Sequence, residues 1–279
     1  QAYINLYNRM VGKEVVILGS GDIGMIMARR LTLEGAHVQA VFEIQPIPSG
    51  LPRNIEQCLN DYGIPLYLSH TITDIHGNER VTGVTVAQVD EHMKPIPGTE
   101  KEYNCDTVIL SVGLIPENEL SRGADIQMDP RTNGPVVYEN METSIPGVFA
   151  CGNVLHVHDL VDFVTAEAAR AGRAAAAYCA GKQTAEGRTL DIRNGSLVGY
   201  TVPQHVRMDA DFTGVDVFFR VRAVCGASRI VVKDETGAQI ASFRREHMAP
   251  GEMENIRLPR VLLEKAQGAV TVSVEEEQA

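Results

Sequence analysis

Three glycines within six residues, Gly19-Ser20-Gly21-Asp22-Ile23-Gly24, offer the first recognisable chemistry in this chain. They follow the apolar run Val15-Val16-Ile17-Leu18 and lead into Met25-Ile26-Met27-Ala28-Arg29-Arg30-Leu31, which reads as a helix. A buried strand, a glycine turn and a helix start together bind phosphate, because the helix presents free amides and a positive dipole end to an anion. Gly19 permits the tight turn, Gly21 lets the backbone approach a pyrophosphate, and Gly24 lets the helix lie close on the strand. Asp22 and Ile23 fall at the mouth of that turn. A second strand, His37-Val38-Gln39-Ala40-Val41-Phe42, ends in Glu43, near the spacing of about 20 residues at which an acid meets dinucleotide ribose hydroxyls. Glu43 favours NAD over NADP, since a carboxylate repels a 2′-phosphate and Ile44-Gln45-Pro46 supplies no arginine to bind one. Arg29 and Arg30 read as solvent-facing helix residues.

A second concentration of polar chemistry is His156, His158, Asp159 and Asp162. The group lacks a further distant set of ligands, so no metal is expected, and Asp159 or Asp162 reads as a helix cap. The five cysteines, Cys58, Cys105, Cys151, Cys179 and Cys225, are scattered and form neither a Cys-x-x-Cys pair nor a zinc spacing. Their number and scatter fit reduced thiols and a cytoplasmic location, with Cys105 and Cys151 as small core residues. No catalytic residue stands out.

The middle of the chain carries Thr143-Ser144-Ile145-Pro146-Gly147-Val148-Phe149-Ala150-Cys151-Gly152-Asn153, a turn and a short buried strand, followed by a helix through Ala166, Ala169, Ala174 and Ala177. Upstream, Thr107-Val108-Ile109-Leu110-Ser111-Val112-Gly113 is an apolar strand, continued by Pro116 and Asn118. With the first glycine turn, these segments resemble, in order, the motifs of the pyridine nucleotide-disulfide oxidoreductase family, over Glu14 to about Lys182. The resemblance implies an NAD domain inserted into an FAD domain, with hydride passing between NAD(H) and FAD. It places Gly113 at the NAD site and Gly152 and Asn153 at the ribityl-pyrophosphate part of FAD. Asp162, Phe163 and Val164 would sit near the flavin pyrimidine edge, where the helix dipole stabilises negative charge on the reduced flavin and the histidines could donate protons.

Asn153 stands where the family carries an acid, and its amide can still hydrogen-bond a ribityl hydroxyl. The family's first FAD glycine turn has no counterpart ahead of Glu14, and the chain begins at Gln1 rather than Met, so an N-terminally truncated member is expected, its missing half upstream of Gln1 or on another chain. Such a piece should bind NAD, bind FAD weakly or not at all, and expose apolar surface around residues 148–177. The string from Gly152 to Asp162 is most similar to a cysteine-poor subset of flavoprotein subunits that accompany glycerol-3-phosphate, opine or sarcosine-type oxidising enzymes. A partner dehydrogenase subunit is therefore a candidate partner, alongside an unidentified small-molecule substrate.

The expected fold class is α/β: a Rossmann-like NAD domain over 1–113, the C-terminal half of an FAD-binding domain over 114–187, and a small all-β domain over 188–279. Residues 181–195 read as a linker, and strands are expected at Val215–Val221 and Arg229–Lys233, the latter followed by the turn Asp234-Glu235-Thr236-Gly237. The bulk composition fits a globular protein, with 25 Lys plus Arg against 36 Asp plus Glu and a net charge of -11. That acidity argues against nucleic-acid binding, and no apolar run is long enough to span a membrane. Two other functions remain open: a disulfide or peroxide reductase with upstream cysteines, or a non-catalytic NAD-binding or subunit-docking module.

Overall fold

The computed structural model describes residues 1–182 and 187–277. It divides into two compact units, Gln1–Gly113 and Leu114–Ala279. The first contains β1 (Glu14–Leu18), α1 (Asp22–Leu33), β2 (His37–Glu43), α2 (Pro52–Cys58), β3 (Leu66–Leu68), β4 (His70–His76), β5 (Gly83–Gln88), β6 (Lys101–Tyr103) and β7 (Thr107–Leu110). A parallel sheet runs in the order β3-β2-β1-β7, and β4-β5-β6 form an antiparallel sheet. Val15 and Ile17 pack with Met25, Ala28 and Leu31 of α1, whereas Val16 packs with Phe42, Val84 and Val86. Cover on both faces explains why β1 is apolar without alternation. The strand expected over 107–113 stops at Leu110: Ser111 still donates to Leu18 O, but the chain then passes beneath the glycine turn.

The second unit contains α3 (Glu119–Gly123), α4 (Val161–Cys179), β8 (Thr189–Asn194), β9 (Val198–Val202), β10 (His205–Arg207), β11 (Gly214–Val221), β12 (Ser228–Asp234), β13 (Gln239–Arg245), β14 (Glu254–Pro259), α5 (Arg260–Leu263) and β15 (Val270–Glu276). Two sheets, ordered β10-β8-β15-β12-β13 and β14-β11-β9, face each other as a sandwich over Val217, Phe219, Ile230, Val232, Leu258 and Val272. The linker expected over 181–195 is in its second half the strand β8, because Leu190 and Ile192 enter that core; residues 183–186 lie outside the described residues. The turn after β12 is held by Asp234 Oδ1, which accepts from the amides of Thr236 and Ala238.

Residues 148–151, expected as a buried strand, make only an isolated bridge, Glu142 with Phe149, since no described strand lies alongside to complete a ladder. Around them, Leu114, Ile115, Leu120 and Val161 are largely exposed, and 19-residue α4 buries only Glu167 and Ala171. An open cleft of about 430 Å³ is lined there by Leu120, Ile126, Val148, Phe149 and Cys151. Among the described residues, no helix is long and apolar enough to cross a membrane.

Candidate functional site

The glycine turn joins β1 to α1, and its geometry revolves around Ser111. Gly19 has φ +95°, and a side chain there would run into the Ser111 carbonyl; one at Gly24 would overlap the Ser111 side chain. Gly21, expected to make room for a pyrophosphate, also faces this serine, since a Cβ would lie 3.1 Å from Ser111 Oγ. Ser111 Oγ in turn accepts from the Gly24 amide at 3.1 Å. The amides of Asp22 and Ile23, left over by helix geometry, have no hydrogen-bond partner among the described residues, and Ile23 is exposed. A helix start with two free amides over a glycine turn fits a pyrophosphate.

Glu43 is placed beside this turn but enclosed. It is buried, with Oε2 accepting from Ser20 N at 2.9 Å, Ser20 Oγ at 2.5 Å and Ser49 Oγ at 3.1 Å, while Oε1 accepts from Gln45 N at 2.9 Å. Both oxygens of the carboxylate are thus already engaged, one by Ser20 and Ser49 and the other by Gln45. The Asp22 side chain turns toward the same segment, accepting from Leu51 N and Asn54 Nδ2 at 2.8 and 2.7 Å. Gly113, with φ +96° and open space where a Cβ would be, lies beyond the residues that line the turn. Ser20, Ser49 and Ser111 carry much of this geometry, and small polar residues give no periodic signal by which to find them.

In the second unit, Gly152 begins a turn with φ +73° that leads to α4. Its amide donates to Glu167 Oε2 at 2.5 Å, and Nε2 of His156 and of His158 each lie 3.1 Å from a Glu167 oxygen. All three side chains are buried. Burial opposes the Glu167 charge, but hydrogen bonds from His156, His158 and Gly152 outweigh it and hold the carboxyl at about 2. Burial also pushes the His156 imidazole below its ordinary 6.5. The donor atoms of this trio lie within 4.8 Å of one another, a spacing a metal ion could use. Yet both Nδ1 atoms are buried without partners, so a cation on Nε2 would strand two N–H donors where metal-bound histidines normally find acceptors. The arrangement fits a carboxylate solvated by two imidazoles and a backbone amide. Glu167 was missed in the sequence; its signal is a lone acid four residues before Ala171 on the one buried stripe of α4.

Asn153 is exposed, and its Oδ1 accepts from His158 N at 3.1 Å, leaving its amide nitrogen for a ligand. Asn118 donates to Asn133 O and Val154 O at 2.9 and 2.7 Å. Asp162 lies exposed in the first turn of α4, where it favours the helix dipole, but the capping residue is Leu160 and no side chain caps. Asp159 is not a cap either, because its oxygens are taken by Arg220 and by Met253 N. Phe163 is turned into Phe218, ring centroids 5.3 Å apart, while Val164 lies 3.4 Å from where a Gly152 Cβ would stand. The buried cysteines Cys58, Cys105 and Cys225 and the half-buried Cys151 have thiols pushed up by burial, which disfavours nucleophilic thiolates.

A parallel sheet with a glycine turn at the start of its first helix defines a dinucleotide-binding fold. Residues 4–183 match the model of the pyridine nucleotide-disulphide oxidoreductase family, and the chain belongs to that family. An NADH oxidase of Methanocaldococcus jannaschii is 31% identical over 163 residues, covering 56% of this chain and 32% of that protein. A glutamate synthase [NADPH] small chain of Mycobacterium tuberculosis is 26% identical, covering 60% of this chain and 36% of that one. Thioredoxin reductase of T. acidophilum superposes with TM-score 0.51 at 26% identity, over 60% of this chain and 53% of its own. The chain thus spans about a third of the length of these two curated relatives.

Proposed function

We propose that this chain carries the NAD(H) site and part of the FAD site of a flavin-dependent NAD(H) oxidoreductase. The observation that carries the reading is the glycine turn of Gly19, Gly21 and Gly24 with the free amides of Asp22 and Ile23, followed in family order by the Gly152 turn and α4. Glu43 would select NAD over NADP by repelling a 2′-phosphate, and Gly113 would border the nicotinamide side. Gly152 and Asn153 would meet the ribityl-pyrophosphate of FAD, and Asp162, Phe163 and Val164 would lie near the flavin edge. Of these, Asn153 and the α4 start are open to a ligand, while Phe163 supports the turn from behind. Bound FAD would exchange hydride with the nicotinamide and hand electrons to an acceptor.

Raised thiols and the absence of a Cys-x-x-Cys pair from the sequence support an acceptor other than a cysteine pair of this chain. The acidic surface and the similarity to a protein named as a small chain support a partner subunit, and a cytoplasmic setting fits the unpaired cysteines. The proposed domains are 1–113 for NAD, 114–187 for FAD and 188–279 as an all-β appendage. The test is spectroscopic: the full-length protein supplied with FAD should show the visible flavin band, bleached by NADH without oxygen and more slowly by NADPH. A protein that binds NADH yet never reduces flavin would sink the reading.

A further inference from the structure

The β-sandwich lies beyond the 4–183 span of the family match, so family membership gives it no task. Its contacts within the second unit suggest one. Arg220 on β11 donates to Val157 O at 3.2 Å and pairs with Asp159, while the other Asp159 oxygen accepts from Met253 N at 2.6 Å. Arg220 is itself anchored by Gly251 O at 2.7 Å. Next to it on β11, Phe218 is buried although it points away from the sandwich core. Its ring meets His156, His158 and Phe163 edge-on at 5.8, 5.9 and 5.3 Å between centroids. The histidines under that ring are the ones that hold Glu167, and through it the Gly152 amide.

Resting on the flavin reading of this turn, we infer that the β-sandwich is a clamp on residues 152–163, with Arg220 as its positioning residue. The turn's own neighbours fasten it as far as His158, through Asn118 on Val154 O and Glu167 on Gly152 N, His156 and His158. The stretch just before α4 is fastened from the sandwich, at Val157 O and at both oxygens of Asp159. A half-buried guanidinium held at once by a carboxylate and by the carbonyls of Val157 and Gly251 has little freedom, so the clamp sets where α4 starts. The sandwich thereby acts on the turn proposed to hold the cofactor.

The test compares Arg220→Met, Asp159→Asn and the double variant in the flavin-loaded full-length protein, with Arg244→Met, an exposed arginine on β13, as control. Each single variant should speed flavin release about tenfold and shift the visible flavin spectrum. The double variant should do less than the two singles added together, because they share the Arg220–Asp159 contact. In the chain alone, hydrogen exchange should lose protection over 152–163 while β11 and β12 keep theirs. Unchanged release and unchanged exchange in Arg220→Met would overturn the clamp. If Arg220→Met unfolds the sandwich, Asp159→Asn decides, since Asp159 lies outside it. A full-length wild type that takes no flavin would instead overturn the proposed function, and the exchange measurement would still decide the clamp.

Discussion

The two glycine turns, at Gly19 and at Gly152, are held in different ways. Both have positive φ, +95° and +73°. The first is gripped mainly by its own strands and bare backbone, Gly19 donating to Phe42 O and abutting the Ser111 backbone, with the side chains of Ser111 and Glu43 holding Gly24 and Ser20. The second is gripped by side chains from elsewhere in the sequence, with Glu167, Asn118 and Arg220 each fixing one part of it. A backbone site tolerates no added atoms, whereas a side-chain site depends on a chain of polar partners that must all be satisfied.

Substitution at Gly19 should separate the two most strongly. Gly19→Ala puts a Cβ into Ser111 O on a left-handed backbone, so unfolding titrations should show a loss of about 3 kcal/mol and calorimetry no NADH binding. Retained binding would mean that the turn can yield. In the second turn, Glu167→Ala strands the Gly152 amide and two imidazoles and should cost about 3 kcal/mol in the same titrations, with NADH binding unchanged.

Acid should act on the second turn first. His156 is held below 6.5, so the unfolded chain takes up its proton first and stability falls as pH drops below that value. Glu167 adds a second loss between its ordinary 4.5 and about 2, again because the unfolded state binds the proton first. Unfolding titrations at stepped pH should therefore show early loosening in the second unit. A wild type whose second unit weakens no earlier than a His156→Gln variant's would contradict this.

The smallest effects belong to the enclosed acid of the first turn. Glu43→Gln should narrow the preference for NADH over NADPH by about tenfold in binding measurements, because the repelling charge is gone. Ser49→Ala should change stability by less than about 1 kcal/mol and tighten NADH about twofold, since Ser49 Oγ occupies Glu43 in the free protein. Weaker NADH binding would show that Ser49 belongs to the binding surface instead.

The sequence by itself determined the parts written in neighbouring residues. The glycine turn, its strand and helix, the Ala-rich helix and the strands β11 and β12 were legible because glycine spacing and apolar runs are local signals of backbone geometry. The early stop of β7 at Leu110 was not legible, because it depends on Ser111 passing beneath a turn some 90 positions earlier. Nor was the burial of Glu43, or the diversion of Asp159 from a helix cap to Arg220, 61 residues away. Only the tertiary structure decided which polar side chains meet, since hydrogen-bond partners far apart in sequence leave no periodicity behind. Glu167 shows the difference most plainly: in sequence it is one acid on an alanine helix, and in the fold it is the buried anion on which a whole turn hangs.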